Sequence, residues 1–456
     1  MPILPIDAGR YGNPDMVRLF TEEARLEAML EVEAALAKAQ AALGMIPEEA
    51  ARVITERASL KYVSLERVKE IEQQIRHDVM AMVLALSEAC GEYGGYVHYG
   101  ATSYDIVDTA WGLILKRALE ILRSRLLSLE RTLIRLVQRY RNTVMVGRTH
   151  GQHALPITLG LKFAVWLAEV DRHIDRLDQV RDRVVVGKMT GAVGTQAAFG
   201  ERGLELQRLV LRELELGEPL VTTQILQRDR YAELVCLLAI LASSLDKFAT
   251  EIRNLQRTEI DEIREAFDVS RQVGSTAMPH KRNPIRCERV SGLARVVRGL
   301  VSPALENVVS WHERDLANSS AERFLLPEAL ILVDYMVSLM EQVLSGLEVN
   351  EEAIRRNLYL TGGAILSERL VVELVKRGVG RQEAHELVRK AAMRAYASKR
   401  RFSDVVKEDP QITKYIQPDE LDMLLDPVSY LGTTQQQIDR LLSYIRDKRG
   451  YPSSEE

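Results

Sequence analysis

The chain has 456 residues, of which 28% are charged, and a net charge of −4 with both signs interspersed. That balance gives no basic patch for nucleic acid or an anionic membrane, and no apolar run reaches the roughly 18 residues that cross a bilayer. Hydrophobic residues make up 46% but aromatics only 5%, so the core is mainly Leu, Val, Ile and Ala, which favours helix, and the length implies two to four units.

Cys90, Cys236 and Cys287 form neither a CxxC pair nor a Cys/His ligand spacing, so no zinc or other metal site is expected. A sparse, odd set of cysteines suits a reducing cytoplasm. The opening "MPILPIDAGRYGNPDM" lacks the basic and apolar regions of a signal peptide.

In chain order, residues 1–98 read as a helical unit that ends near the glycines of "GEYGGYVHYG". Next, Leu115, Leu119, Leu122, Leu126, Leu129, Leu133 and Leu136 alternate steps of four and three, with Tyr140 following. This predicts one long helix with a bundle seam, with Thr102 and Ser103 as candidate N-caps. A further helix is expected from Pro156, a good first-turn residue, to about Val184. Within Asp229 to Phe267 the seam recurs at Leu234, Leu238, Leu241, Leu245, Phe248, Ile252 and Leu255. Helical patterns also cover Arg286 to about Val301 and Glu328 to Leu347. A last helical unit starts near "LEVNEEAIRRN", and the tail "YPSSEE" is expected to fray. The expected fold is all-α, with three helical domains at 1–98, 99–350 and 351–456, the central one a long-helix bundle. Seams this apolar favour packing against other subunits.

Polar segments separate the helices: "AGRYGNP", "IRHDVMA", "VHYGATSYDIVDT", "GRTHGQHALP", "QILQRDR", "GSTAMPHKRNP" and "HERDLANSSAERFLLP". Each has a plain structural reading. His150 and His153 have no carboxylate or cysteine cluster to complete a metal site, "TSYD" suits a helix cap, and "AER" suits a solvated helix face.

Together these segments resemble the fumarase/aspartase superfamily. "GSTAMPHKRNP" matches its GSSxMPxKxNP signature, and "HYGATSYDIVDT" and "GRTHGQHALP" match its two other regions in the same order. Within that superfamily, "RYGNPDM", "RHDV", "GAVGT", "TQILQRD", "MPHKRNP" and "HERDLANSSAERFLLPEA" resemble the adenylosuccinate lyase family. Thr276 departs from the usual second serine but keeps the hydroxyl.

The resemblance implies a β-elimination that releases fumarate from a succinylated nucleotide, with no cofactor. Proton loss beside a carboxylate creates an aci-carboxylate, so the reaction needs a base, an anion-stabilising pocket and an acid for the leaving nitrogen. By resemblance Ser275 is the base, Lys281 supplies charge beside it, His150 is the acid and Glu288 holds its imidazole. Arg10, Tyr11, Arg314 and Arg323 are expected to bind phosphate, and Arg76, His77, Asp78 and His98 the nucleotide and substrate side. Thr102, Ser103, Gln224, Lys281, Asn283 and Ser319 are expected to bind the succinyl carboxylates or the nucleotide. The resemblance also implies a homotetramer whose active sites each draw on three subunits. The rival readings are a carboxymuconate lactonising cycloisomerase, which shares MPHKRNP, an argininosuccinate lyase, or a helical scaffold without activity. "RY" and "RHD" favour a nucleotide phosphate over the first two, and the intact Ser275, Lys281, His150 and Glu288 set argues against the last.

Overall fold

The computed structural model describes residues 6, 8–268, 270 and 272–451, so the expected fraying of residues 452–456 lies outside it. The principal helices are α1 (Glu22–Ala42), α2 (Leu65–Ile75), α3 (Asp78–Cys90), α4 (Ser103–Tyr140), α5 (Leu159–Val184), α6 (Asp229–Leu255), α7 (Ile285–Gly299), α8 (Ala317–Ser345) and α9 (Thr434–Arg449). Short strands β1 (Val144–Thr149) and β2 (Gln152–Thr158) form one antiparallel pair, and β3 (Ile263–Arg264) and β4 (Glu348–Val349) another. The fold is all-α in class.

The predicted seams are buried. Leu115, Leu119, Leu122, Leu126, Leu129 and Leu133 are each at most 2% exposed, and so are all seven seam residues of α6. The α4 seam departs from the prediction at its end, where Val137 rather than Leu136 is buried. A repeat of 3.5 residues drifts against the 3.6 of a straight helix, so the buried stripe moves over by one position.

Three helix boundaries differ from those read in the sequence. Pro156 lies inside β2 opposite Val146, and α5 starts at Leu159, where the Thr158 hydroxyl accepts the Leu161 N–H at 3.1 Å. In a two-stranded ribbon every strand is an edge, which tolerates proline. The α6 helix stops at Leu255 rather than running on toward Phe267. The α8 helix begins at Ala317, eleven residues before Glu328, because the Asp315 carboxylate accepts the Ala317 N–H at 2.7 Å and starts the helix there.

The chain divides into two compact units. The first comprises Met1–Leu127, His173–Asp246 and Val290–Leu339, and the second Ser128–Arg172, Lys247–Arg289 and Met340–Glu456. In the first unit two buried ionic groups tie loops to helices. The Asp105 carboxylate accepts from Lys188 Nζ at 2.5 Å and from the backbone N–H groups of Thr102, Thr190 and Gly191. Arg228 is shared between Asp108, with two bonds of 2.9 Å, and Glu322, at 2.6 and 3.1 Å. In the second unit Phe402, Leu370, Leu374, Val388, Ile412 and Leu421 form a C-terminal core. The end of α9 is held there by Lys448 and Arg449 on Asp171 and by Tyr451 on Glu130.

Candidate active site

In the first unit, the "RHD" run makes the corner between α2 and α3. Arg76 is left-handed (φ 58°) and ends α2, and His77 caps α3 by accepting the Met80 N–H on Nδ1 at 3.2 Å. That bond leaves the ring proton on Nε2. Asp78 follows at the first turn of α3, where the helix dipole favours a carboxylate.

This corner opens on a cavity of about 310 Å³, which Arg76, His77, Asp78, Ser103, Arg314, Ser319 and Arg323 line together with Arg25, Glu72 and Tyr104. Seven residues proposed from sequence therefore converge on one cavity. Ser319 and Arg323 sit one turn apart on α8, and Tyr104 Oη donates to Ser319 Oγ at 3.1 Å. Pro327 has no N–H to give to the Arg323 carbonyl four residues earlier, so α8 lacks one ladder bond beside the cavity.

The cavity is cationic. Burial alone would raise the Asp78 carboxyl, but the Arg323 bond (2.7 Å), the Val79 N–H and nearby Arg25 together hold it below the usual carboxylate range. Burial and the neighbouring Arg323 charge lower the Arg25 guanidinium. Arg314 lies over the Tyr104 ring and donates from Nη1 to Gln224 Oε1 at 2.9 Å. Gln224 Nε2 in turn donates to the Ala192 carbonyl, linking Arg314 to the "GAVGT" loop. Arg314 Nε and Nη2 are buried and have no hydrogen-bond partner among the described residues. Buried donors without acceptors suit an incoming anion.

Other expected residues of this unit stand apart. Tyr11 packs against Tyr335 with Arg10 beside it, and Tyr335 is twelve residues along α8 from Arg323, about 18 Å at the helical rise. His98 has positive φ and shares a 2.6 Å hydrogen bond with buried Glu33. Burial would lower its imidazole, but Glu33 outweighs that and raises it. Thr102 is the residue before α4; its N–H is taken by the Asp105 carboxylate three residues on, and its carbonyl accepts the Asp105 N–H at 2.9 Å. Arg25 and Tyr104 were not foreseen: an arginine in "EEARLE" reads as a solvated helix face, and the tyrosine of "TSYD" as part of a cap.

The second unit carries His150, Ser275, Lys281, Asn283 and Glu288. "GRTHGQHALP" is a β-hairpin rather than a polar loop. Thr149 pairs with Gln152, and His150 (φ 53°) and Gly151 (φ 75°) form the two-residue turn, so His150 stands exposed at its tip. Within the hairpin Arg148 makes two bonds to buried Glu262, at 2.9 and 2.7 Å. Among the described residues His150 makes no bond to Glu288, which lies exposed in the first turn of α7.

The segment from Gly274 to Asn283 is a closed loop. Asn283 Nδ2 donates to the Gly274 carbonyl at 3.1 Å, and a Cβ on Gly274 would lie 2.0 Å from the Lys281 carbonyl oxygen, so only glycine fits. Ser275 Oγ accepts the N–H groups of Met278 (3.1 Å) and Ala277 (3.3 Å). Two donors on one hydroxyl oxygen stabilise negative charge there. Lys281 is exposed on the same loop.

A bundle of long helices with this serine loop and a cationic cavity defines a lyase of the fumarase/aspartase superfamily. The sequence model of the family described as "Lyase" matches residues 9–299, and that of "Adenylosuccinate lyase C-terminus" matches residues 363–441. The chain is 54% identical to adenylosuccinate lyase of Pyrococcus abyssi, covering 98% of this chain and 99% of that one. It is 50% identical to adenylosuccinate lyase of Methanocaldococcus jannaschii, covering 98% and 97%. The chain belongs to the adenylosuccinate lyase family. Among solved structures, a fumarate lyase from Mesorhizobium sp. BNC1 superposes with a TM-score of 0.88 at 35% identity, covering 95% of this chain and 98% of that one. The 3-carboxy-cis,cis-muconate lactonizing enzyme of Pseudomonas putida gives 0.88 at 33%, covering 97% and 99%.

Proposed function

We propose that this lyase cleaves adenylosuccinate to AMP and fumarate, and the succinylated aminoimidazole carboxamide ribotide in the same way, in purine nucleotide biosynthesis. The observation that carries the substrate class is the cavity of Arg25, Arg76, Arg314 and Arg323, with two guanidinium donors of Arg314 unpartnered. Forked guanidinium donors match phosphate oxygens in paired, charge-assisted bonds. A lactonising enzyme acts on a substrate without phosphate and needs no phosphate grip.

Ser275 removes the Cβ proton of the succinyl group. The Ala277 and Met278 N–H groups hold its oxygen as an alkoxide, and Lys281 adds positive charge on the same loop. The electron pair moves toward the adjoining carboxylate, and the C–N bond then breaks to give fumarate. His150 protonates the departing nitrogen, and Glu288 orients the imidazole. His77, with Nδ1 engaged by the helix, offers Nε2–H as a donor to the nucleotide. Thr102, Ser103, Gln224, Asn283 and Ser319 serve the carboxylates and the nucleotide.

The working form is a homotetramer in which three subunits contribute to each site. Support comes from Arg10 and Tyr11, which one chain does not bring to the cavity that holds Arg323. Val309, Trp311, Leu316 and Phe324, each 65–75% exposed, supply apolar surface for the contact. The three-domain division at 98/99 and 350/351 and a cytoplasmic location complete the reading; no helix among the described residues is long and apolar enough to cross a membrane.

The test is turnover. Adenylosuccinate incubated with the tetramer is expected to yield equimolar AMP and fumarate. Absence of fumarate from both purine-pathway substrates would refute the reading, and product from a carboxymuconate would favour the lactonising one.

A further inference from the structure

The loop that carries Ser275 is tied at its legs by two residues outside the signature. Gln256 is the first residue after α6. Its Oε1 accepts the Glu265 N–H at 3.1 Å, and its Nε2 donates to the Arg282 carbonyl at 3.1 Å. One amide thus bridges the segment just after β3, which leads toward the loop, and the leg that leaves it. Glu265, 6% exposed, continues the connection: its carboxylate accepts the Arg286 N–H at 3.2 Å and the Cys287 N–H at 2.6 Å. Those are among the first N–H groups of α7, which have no acceptor inside the helix, and the helix dipole favours a carboxylate there.

The loop therefore has two levels of closure. The inner one is the Asn283 bond to Gly274, with the Gly274 Cα packed on the Lys281 carbonyl. The outer one is Gln256 and Glu265. Between Thr276 and Arg282 every residue is exposed, whereas Gly274, Ser275 and Asn283 at the neck are half-buried. The ties hold the neck and leave the tip free.

We propose that Gln256 and Glu265 are positioning residues for the elimination: they set the height and angle of the loop neck, and through it where the Ser275 oxygen meets the substrate proton. Neither touches the reacting atoms. The proposal rests on the reading of Ser275 as the base. A displacement of about 1 Å at a reacting atom is enough to cost on the order of 100-fold in rate. Because the cationic cavity lies on other segments, loss of the ties acts on kcat more than on KM.

The experiment uses the full-length enzyme with three substitutions, Gln256→Ala, Glu265→Gln and Ser275→Ala. It measures kcat, KM, melting temperature and the rate of tryptic cleavage after Lys281 and Arg282. For Gln256→Ala and Glu265→Gln, kcat is expected to fall about 10-fold or more with KM within about 3-fold. Cleavage at the loop should quicken, with the melting temperature within about 3 °C of the parent. Unchanged kcat and cleavage in both variants, with Ser275→Ala inactive, would overturn the positioning role alone. A loss of kcat that tracks a large fall in melting temperature in both would also overturn it, by assigning the residues to general stability. If Ser275→Ala keeps full turnover, the reading of the loop as base fails first and the positioning role falls with it.

Discussion

The guanidinium carbon of Arg314 lies 3.6 Å from the centre of the Tyr104 ring. The stack fixes the plane of the fork, the Gln224 bond fixes its rotation, and Nε and Nη2 are left buried without acceptors. A buried donor without an acceptor costs about 1–3 kcal/mol, and a bound anion recovers that cost.

The first prediction follows from this strain. Arg314→Met should raise KM for adenylosuccinate about 10-fold or more, the loss of one charge-assisted pair, without lowering the melting temperature of the ligand-free protein. AMP should raise the melting temperature of the parent and leave that of the variant nearly unchanged. Thermal denaturation with and without AMP checks both statements.

Ser275→Ala should reduce kcat by about 100- to 10,000-fold, the range for loss of a positioned base. Adenylosuccinate binding, measured by calorimetry on the inactive variant, should be at least as tight as AMP binding to the parent. Thr276→Ser restores the common form of the signature and should leave kcat within about 3-fold, since the hydroxyl bonded to Ala277 and Met278 belongs to Ser275.

His98 and Glu33 give a pH dependence of stability. Burial works against the charged imidazole, but the Glu33 carboxylate outweighs it and raises the imidazole above its ordinary range in the folded protein. A raised base binds its proton more tightly when folded, so its contribution is fully present below about pH 6.5 and fades as pH rises through the folded value. The melting temperature of the parent should exceed that of His98→Gln most near pH 6. The gap should narrow as pH rises through the folded value. A gap that widens with pH would contradict the pairing.

Arg228 is the cation of a buried group, held between Asp108 and Glu322. Burial pushes the Glu322 carboxyl up, against the Arg228 attraction. Arg228→Met strands two carboxylates and should cost about 3–5 kcal/mol, the usual penalty for breaking a buried pair. Adding Asp108→Asn should recover part of that loss, and melting curves of the single and double variants measure it.

Much of this molecule is written in its apolar spacing. The seams of α4 and α6 were legible because helical burial repeats every three or four residues, and a leucine count detects that repeat. The hairpin at Val144–Thr158 was hidden because each strand is short and the turn is His-Gly rather than the familiar Asn-Gly. The β-branched and apolar run "TVMV" before it was the available signal. Convergence of Arg76, Arg314, Ser319 and Arg323 was legible only through the family pattern, since nothing local says that residues more than 200 positions apart share a cavity. Lys188 and Glu322 escaped attention because charged residues are ordinarily taken as solvated. Asp105, which accepts from Lys188, and Asp108, which shares Arg228 with Glu322, are both fully buried near the start of α4, which marks that stretch as one that must bury charge.

The turn at His150 and Gly151 has a practical consequence for testing the proposed role of His150 as the acid. A side chain at position 150 must accept a left-handed backbone, so an alanine there removes the imidazole and strains the reversal at once, confounding chemistry with shape. Asparagine is at home in that conformation and cannot donate a titratable proton. His150→Asn is the cleaner control, and the difference between the asparagine and alanine variants reports how much of the hairpin's rigidity the reaction spends.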